Sequence, residues 1–368
     1  MDKKQKEQIK KAIEDIQSGK KNKVTITLKD NEFNVRPLPL LWYSKTIFFL
    51  QQWMVPMHLK NWLLRTAGLN VGHDACIPHY MKFDPYFPQL TYIGAGALVG
   101  GDSKLLSHKL EGKKLTIGRV ELKENSMIAG FVALMPGAVI NRNSMVSFNT
   151  DLDHEIPEGE IWVGKPAKLM VKLDQDQINK YFKKLDMDPK QYYKEAREKI
   201  RKFQKDPSIN YLKIQYGGKR AGAGNDWWRA RNVARIFYNG PIIELARILP
   251  NCWPKKILLK MVGVKIGKNV YIGKGCVFDH IYCDTITLED DVRAENDCYF
   301  DGHEYTIAQT VFGRVLIKKG VHIKHNTFIK TGTTIGENTT IEPWSMCGKE
   351  IPPNEVWGGF PAKHIRKK

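Results

Sequence analysis

The chain has 368 residues, 42% of them hydrophobic, with 58 Lys and Arg against 39 Asp and Glu for a net charge of +19. That length and apolar content suit two domains of ordinary size, each able to bury its own core. Six cysteines, at 76, 252, 276, 283, 298 and 347, include no CxxC pair, which argues against a disulfide framework or a zinc site and points to a reducing compartment.

Residues 1–32 open on a charged stretch in which Ile9, Ile13 and Ile16 recur at helical spacing among Lys3, Lys4, Lys6, Lys10 and Lys11. A short basic amphipathic helix is predicted there, and the missing apolar run argues against a signal peptide. Leu40–Leu50 follows as an apolar, aromatic segment interrupted by Lys45 and ended by Gln51, Gln52 and Pro56. It falls well short of the roughly 20 apolar residues that cross a bilayer. Its first reading is packing against the following domain or a neighbouring subunit; the second is shallow docking in a lipid interface, which Trp42, Trp53 and Trp62 would favour.

From Phe33 to Lys168 the chain carries a pattern that returns without a gap 195 residues later, from Trp228 to Lys363. Tyr43 falls on Tyr238, Phe83-Asp84 on Phe278-Asp279, His108 on His303, Gly118-Arg119-Val120 on Gly313-Arg314-Val315, and Pro166-Ala167-Lys168 on Pro361-Ala362-Lys363. Two copies of one domain are expected, at 33–170 and 228–368. Within each copy aliphatic residues recur every six positions: Leu122, Ile128, Leu134, Ile140, Val146 and Leu152, then Ile317, Ile323, Ile329, Ile335, Ile341 and Cys347. A period of six fits neither an amphipathic helix nor a plain strand. It predicts three short flat strands per eighteen-residue coil, a parallel β-helix of triangular section. Between the copies, 171–227 reads as a charged helical linker, with Gly217–Gly224 as a flexible hinge.

The hexads, the closing strings Trp162-Val163-Gly164-Lys165-Pro166-Ala167-Lys168 and Trp357-Gly358-Gly359-Phe360-Pro361-Ala362-Lys363, and an isolated histidine before the regular coils together resemble the hexapeptide-repeat acyltransferases. Among these the chain looks most like the maltose, galactoside and colanic-acid type O-acetyltransferases. The resemblance implies a mainly β fold of two left-handed parallel β-helix domains with flanking and linking helices. It implies acetyl-CoA as acyl donor, a sugar or polysaccharide hydroxyl as acceptor, and no metal. It also implies assembly into a homo-oligomer, a trimer or a mixed assembly of the two copies, in the cytoplasm.

Acyl transfer from a thioester to a hydroxyl needs a base for the hydroxyl proton and then an acid for the departing thiol, and one imidazole can serve as both. His108 and His303 stand where the resemblance puts that base. It further assigns Asp84 and Asp279 to acceptor hydroxyls, and Lys349, Lys363, Arg366 and Lys168 to the coenzyme phosphates. Asp102 and Asp297 read as corner residues. The other histidines, at 58, 73, 79, 154, 280, 322, 325 and 364, have no histidine at their equivalents in the other copy. Copy two, with its basic cluster and its Gly302-His303 dipeptide, reads as the likelier catalyst. Two alternatives stand beside this reading: a noncatalytic scaffold in a glycan- or peptide-assembly pathway, and a carbonic-anhydrase-like metalloenzyme using His322 and His325 with His303. The surplus positive charge suits an anionic membrane face or an acidic glycan, and suits nucleic acid less, since no reading motif accompanies it.

Overall fold

The computed structural model describes residues 3–29, 32–218, 222, 228 and 231–368. The chain divides into two compact units, the first built chiefly from 1–184 and the second from 185–218, 226–305 and 309–368. Most of the expected glycine-rich hinge, Lys219–Ala221 with Ala223 and Gly224, lies outside the described residues.

Each unit is a left-handed, triangular parallel β-helix. In the first, Leu122, Ile128, Leu134, Ile140, Val146 and Leu152 all point inward with no exposed surface, and the small residues two positions earlier, among them Ser126, Ala138 and Ser144, are equally buried. Strands of two residues stack in register from coil to coil, as Met127-Ile128 does on Met145-Val146 and on Leu98-Val99. The corner lies three residues after each aliphatic, where Asn125, Phe131, Gly137, Asn143 and Asn149 all take positive φ. Asn and Gly tolerate that left-handed conformation best, so the six-residue beat combines one buried aliphatic with one tolerant corner. The second unit repeats it, with Ile317, Ile323, Ile329, Ile335 and Ile341 inside and Gly320, Asn326, Gly332, Asn338 and Trp344 at the corners. Asp102 and Asp297 also hold positive φ, as corner residues do.

Seven helices accompany the coils among the described residues: α1 (Lys3–Gln17), α2 (Leu38–Leu50), α3 (His58–Thr66), α4 (Gln175–Phe182), α5 (Pro189–Lys205), α6 (Val233–Ile248) and α7 (Trp253–Met261). None of them is long and apolar enough to cross a membrane. The stretch 171–215, expected to be helical, also contains a strand, Tyr211–Gln215. Its period-two pattern suits the open edge of a hairpin, where it pairs antiparallel with Gln309–Gly313. In the first unit Lys23–Thr27 pairs in the same way with Lys114–Gly118. A helix followed by an edge strand thus precedes each copy, α1 with Lys23–Thr27 and α5 with Tyr211–Gln215.

Candidate active site

An irregular hairpin leaves each β-helix and carries the histidine at its start. In the first unit His108–Glu111 pairs antiparallel with Lys114–Gly118; in the second His303–Tyr305 pairs with Gln309–Gly313. The glycine ending each hairpin is fixed by close packing, since a Cβ on Gly118 would lie 2.5 Å from the nitrogen of Gly137, and one on Gly313 2.3 Å from that of Gly332.

The hairpins hold each histidine against an aspartate of the preceding coil, 24 residues earlier in sequence in both copies. His108 Nδ1 lies 2.5 Å from Asp84 Oδ2, while Asp84 Oδ1 accepts from the backbone N–H of Tyr86 at 2.9 Å and of Phe87 at 3.3 Å. In the second unit His303 Nδ1 meets Asp279 Oδ2, which also accepts the Gly302 N–H at 2.8 Å. Asp279 Oδ1 accepts from Ile281 and Tyr282, both at 2.7 Å. Gly302 leaves no room for a side chain there, because a Cβ would sit 2.5 Å from the Tyr282 carbonyl oxygen. Both aspartates are buried, whereas each imidazole keeps 19% of its side-chain surface exposed. A carboxylate on Nδ1 fixes the ring and leaves Nε2 as the nitrogen able to take a proton.

Charges sharpen the second dyad. Burial alone would raise the Asp279 pKa, but the His303 charge and the hydrogen bonds overcome it and hold it down at about 2. Burial works against a charged His303 ring, yet Asp279, Asp301 and Glu304 more than offset this and raise its pKa above the ordinary value. Burial and the neighbouring Asp279 charge push the Asp301 carboxyl up to about 8. The Glu304 carboxylate pairs with Lys330 Nζ at 3.1 Å.

The walls of the two sites differ. Phe33, Tyr86 and Phe87 surround His108 at ring-centroid distances of 5.0, 5.4 and 5.6 Å. Tyr305 and Tyr282 flank His303 at 4.5 and 5.7 Å. At the equivalents of Asp301, Glu304 and Lys330 the first copy has Leu106, Lys109 and Met135.

The residues assigned to coenzyme phosphates are all exposed. Lys349 stands at the corner before the strand Glu350–Ile351, whereas Lys363 and Arg366 lie on the closing strand Lys363–Lys367, which belongs to another sheet. Lys168 begins the corresponding closing strand of the first unit. His322 and His325 do not join His303 in a metal-holding cluster among the described residues; both face Glu295, at 2.8 and 3.4 Å.

One pair of buried polar residues escaped the sequence reading. Lys60 Nζ donates to the carbonyls of Met54 at 3.0 Å and Pro78 at 2.5 Å, and Lys255, 195 residues on, donates to those of Leu249 at 3.1 Å and Gly273 at 2.5 Å. Burial draws the Lys60 pKa down to about 7. Each lysine ties its helix to the first coil, and the shared offset was the signal that could have found it.

Both units are hexapeptide-repeat β-helices. No family model matches the chain. It is 29% identical over 119 residues to delta-poly-L-ornithine synthetase of Acinetobacter baumannii, covering 32% of this chain and 9% of that protein. It is 26% identical over 113 residues to YvoF of Bacillus subtilis, whose name marks it as a candidate acetyltransferase, covering 30% of this chain and 66% of that one. The chain therefore spans less than two thirds of either relative. A hexapeptide-repeat acetyltransferase of Vibrio cholerae, solved in complex with acetyl coenzyme A, aligns at 19% identity and a TM-score of 0.33 over 36% of this chain and 87% of its own.

Proposed function

We propose that this chain is an acetyl-CoA-dependent O-acetyltransferase acting on a sugar or polysaccharide hydroxyl, with His303 and His108 as general bases. The observation that carries the reading is the Asp–His dyad formed in both units, each with its Nε2 left free on a partly exposed ring. Nε2 accepts the acceptor hydroxyl proton as that oxygen bonds to the thioester carbonyl carbon. The tetrahedral oxyanion then collapses, the C–S bond breaks, and the imidazolium returns the proton to the thiolate. Asp279 and Asp84 favour the charged ring during the reaction, so their role in this reading is to position the base rather than to bind acceptor hydroxyls. Lys349, Lys363 and Arg366 receive the coenzyme phosphates in copy two, and Lys168 in copy one.

In this reading the repeat domains are 33–170 and 228–368, with 1–32 and 171–227 supplying the helix-and-strand modules before them. The chain works in the cytoplasm as a homo-oligomer. The likeness to a poly-ornithine synthetase favours a second reading, a scaffold without acyl-transfer activity in a peptide-assembly pathway. Thiol release from acetyl-CoA in the presence of candidate glycans separates the two. Release that depends on the acceptor and on the histidines supports the enzyme; none with any glycan or amine supports the scaffold.

A further inference from the structure

The helix pair ahead of each β-helix has a face that nothing among the described residues of its own unit covers. In the first unit, α2 has the sequence LPLLWYSKTIFFL, apolar except for Ser44, Lys45 and Thr46. A helix of that composition is normally buried all round. Here only one side is: Leu41, Ile47 and Phe48 are buried, while Trp42 and Phe49 are 65% and 61% exposed. Trp53, just after α2, and Trp62 on α3 extend the exposed surface.

The second unit has the same feature made from different residues. At the 195-residue offset Trp42 becomes Phe237, Leu50 becomes Leu245, Trp53 becomes Ile248 and Trp62 becomes Ile257, and all eight side chains are exposed. Trp253, at the head of α7, is 74% exposed. Residue identity has drifted between the copies, yet exposed apolar character has not. Exposed apolar side chains kept together in both copies mark a binding surface.

Charge identifies what binds. Leu38–Thr66 contains no acidic residue, and with Lys60 buried on two carbonyls its remaining basic side chains are Lys45 and Arg65. Val233–Met261 contains Arg235, Arg247, Lys256 and Lys260 besides the buried Lys255, and a single acid, Glu244, whose carboxylate is engaged by His280 at 2.9 Å and Arg247 at 3.7 Å. Tryptophan and aliphatic side chains bordered by Lys and Arg, on helices too short to span, are the composition that settles in the headgroup region of an anionic bilayer.

We propose that α2–α3 and α6–α7 each form an interfacial docking face for anionic phospholipid. The proposal goes beyond the acetyltransferase reading and does not depend on it. The test is cosedimentation of the full chain with vesicles of phosphatidylcholine alone and of an equal mixture with phosphatidylglycerol, with tryptophan quenching by bromine-labelled lipid as a depth readout. Because a basic chain attracts anionic vesicles without inserting, quenching is the deciding signal. Binding and quenching are expected on the anionic vesicles only. The double variant Trp42→Glu/Trp53→Glu, and separately Phe237→Glu/Ile248→Glu, should each weaken binding by about ten-fold or more, as expected for losing two apolar anchors, while circular dichroism remains that of the parent. Absence of quenching, or binding unchanged in both variants, overturns the proposal. So does a shift in sedimentation state of the variants without any vesicle effect, which would assign the faces to a protein partner.

Discussion

The two histidine sites keep one feature and change nearly everything around it. In both, a buried aspartate holds Nδ1 and spends its other oxygen on two backbone N–H groups. The His108 site is walled by Phe33, Tyr86 and Phe87; the His303 site places Asp301, Glu304 and Lys330 where the first copy has Leu106, Lys109 and Met135. The dyad therefore behaves as one unit, fixed by the turn after the aspartate, and the surroundings are free to vary. On the proposed function, the shared part supplies the chemistry and the divergent part decides which acceptor each site admits and at what pH it works.

Substitutions in each unit separate what the two sites share from what differs between them. Ile329→Ala and Ile128→Ala each empty a fully buried position in one β-helix and should cost about 2–5 kcal/mol, measured by denaturant unfolding. Loss in the mutated unit with the other unit still folded is expected, and a single transition lowered equally by both changes would contradict independent cores. Asp279→Asn should lower kcat roughly 10–100-fold with little change in the KM for acetyl-CoA. Asp84→Asn should remove only the share of activity that the first copy supplies, and equal losses from both would show that the copies contribute alike.

The same pair carries a pH signature. A carboxylate held down near 2 contributes stability above its unfolded pKa of about 3.9 that is lost as pH falls toward 2, and a histidine with a raised pKa contributes below about 6.5 and loses it as pH rises through the folded value. Unfolding of the second unit followed across pH should show a stability maximum between those limits that Asp279→Asn flattens. Alanine at Lys349, Lys363 and Arg366 should raise the KM for acetyl-CoA several-fold at constant kcat. Lys168→Ala should do less. The smallest effect is expected from Asp301→Asn: its carboxyl, pushed up to about 8, is neutral along the acid limb of the kcat/KM profile, so that limb should stay in place, and a limb moved to lower pH would mean that Asp301 is charged beside the base.

Much of this architecture was legible in the sequence because a coil repeats every six residues and each repeat exposes its logic, an aliphatic inside and a tolerant corner three residues later. The helices of the helix-and-strand modules were legible from their apolar spacing, but their edge strands and the kinship of the two modules were not. The interval between them is seven residues shorter than the 195 of the copies, since Lys23 and Tyr211 pair with Gly118 and Gly313, and their residues share little beyond period-two patterning. The aspartates were legible as repeated residues but not as partners of the histidines. In a β-helix, residues 24 apart come together because a coil and its insertion lie between them, and only the hairpin geometry says so. The 195-residue offset pairs Lys60 with Lys255, but nothing in the sequence marks the two carbonyls that each one satisfies.

The central claim is that a dyad-held imidazole accepts the acceptor proton. Its most direct test is acceptor-dependent thiol release from acetyl-CoA by His303→Ala, His108→Ala and the double variant, each checked for parent-like circular dichroism. A fall of about 10²–10⁴-fold is expected in the double variant, with His303→Ala the more damaging single change. Release that persists at the parent rate in the double variant would contradict it.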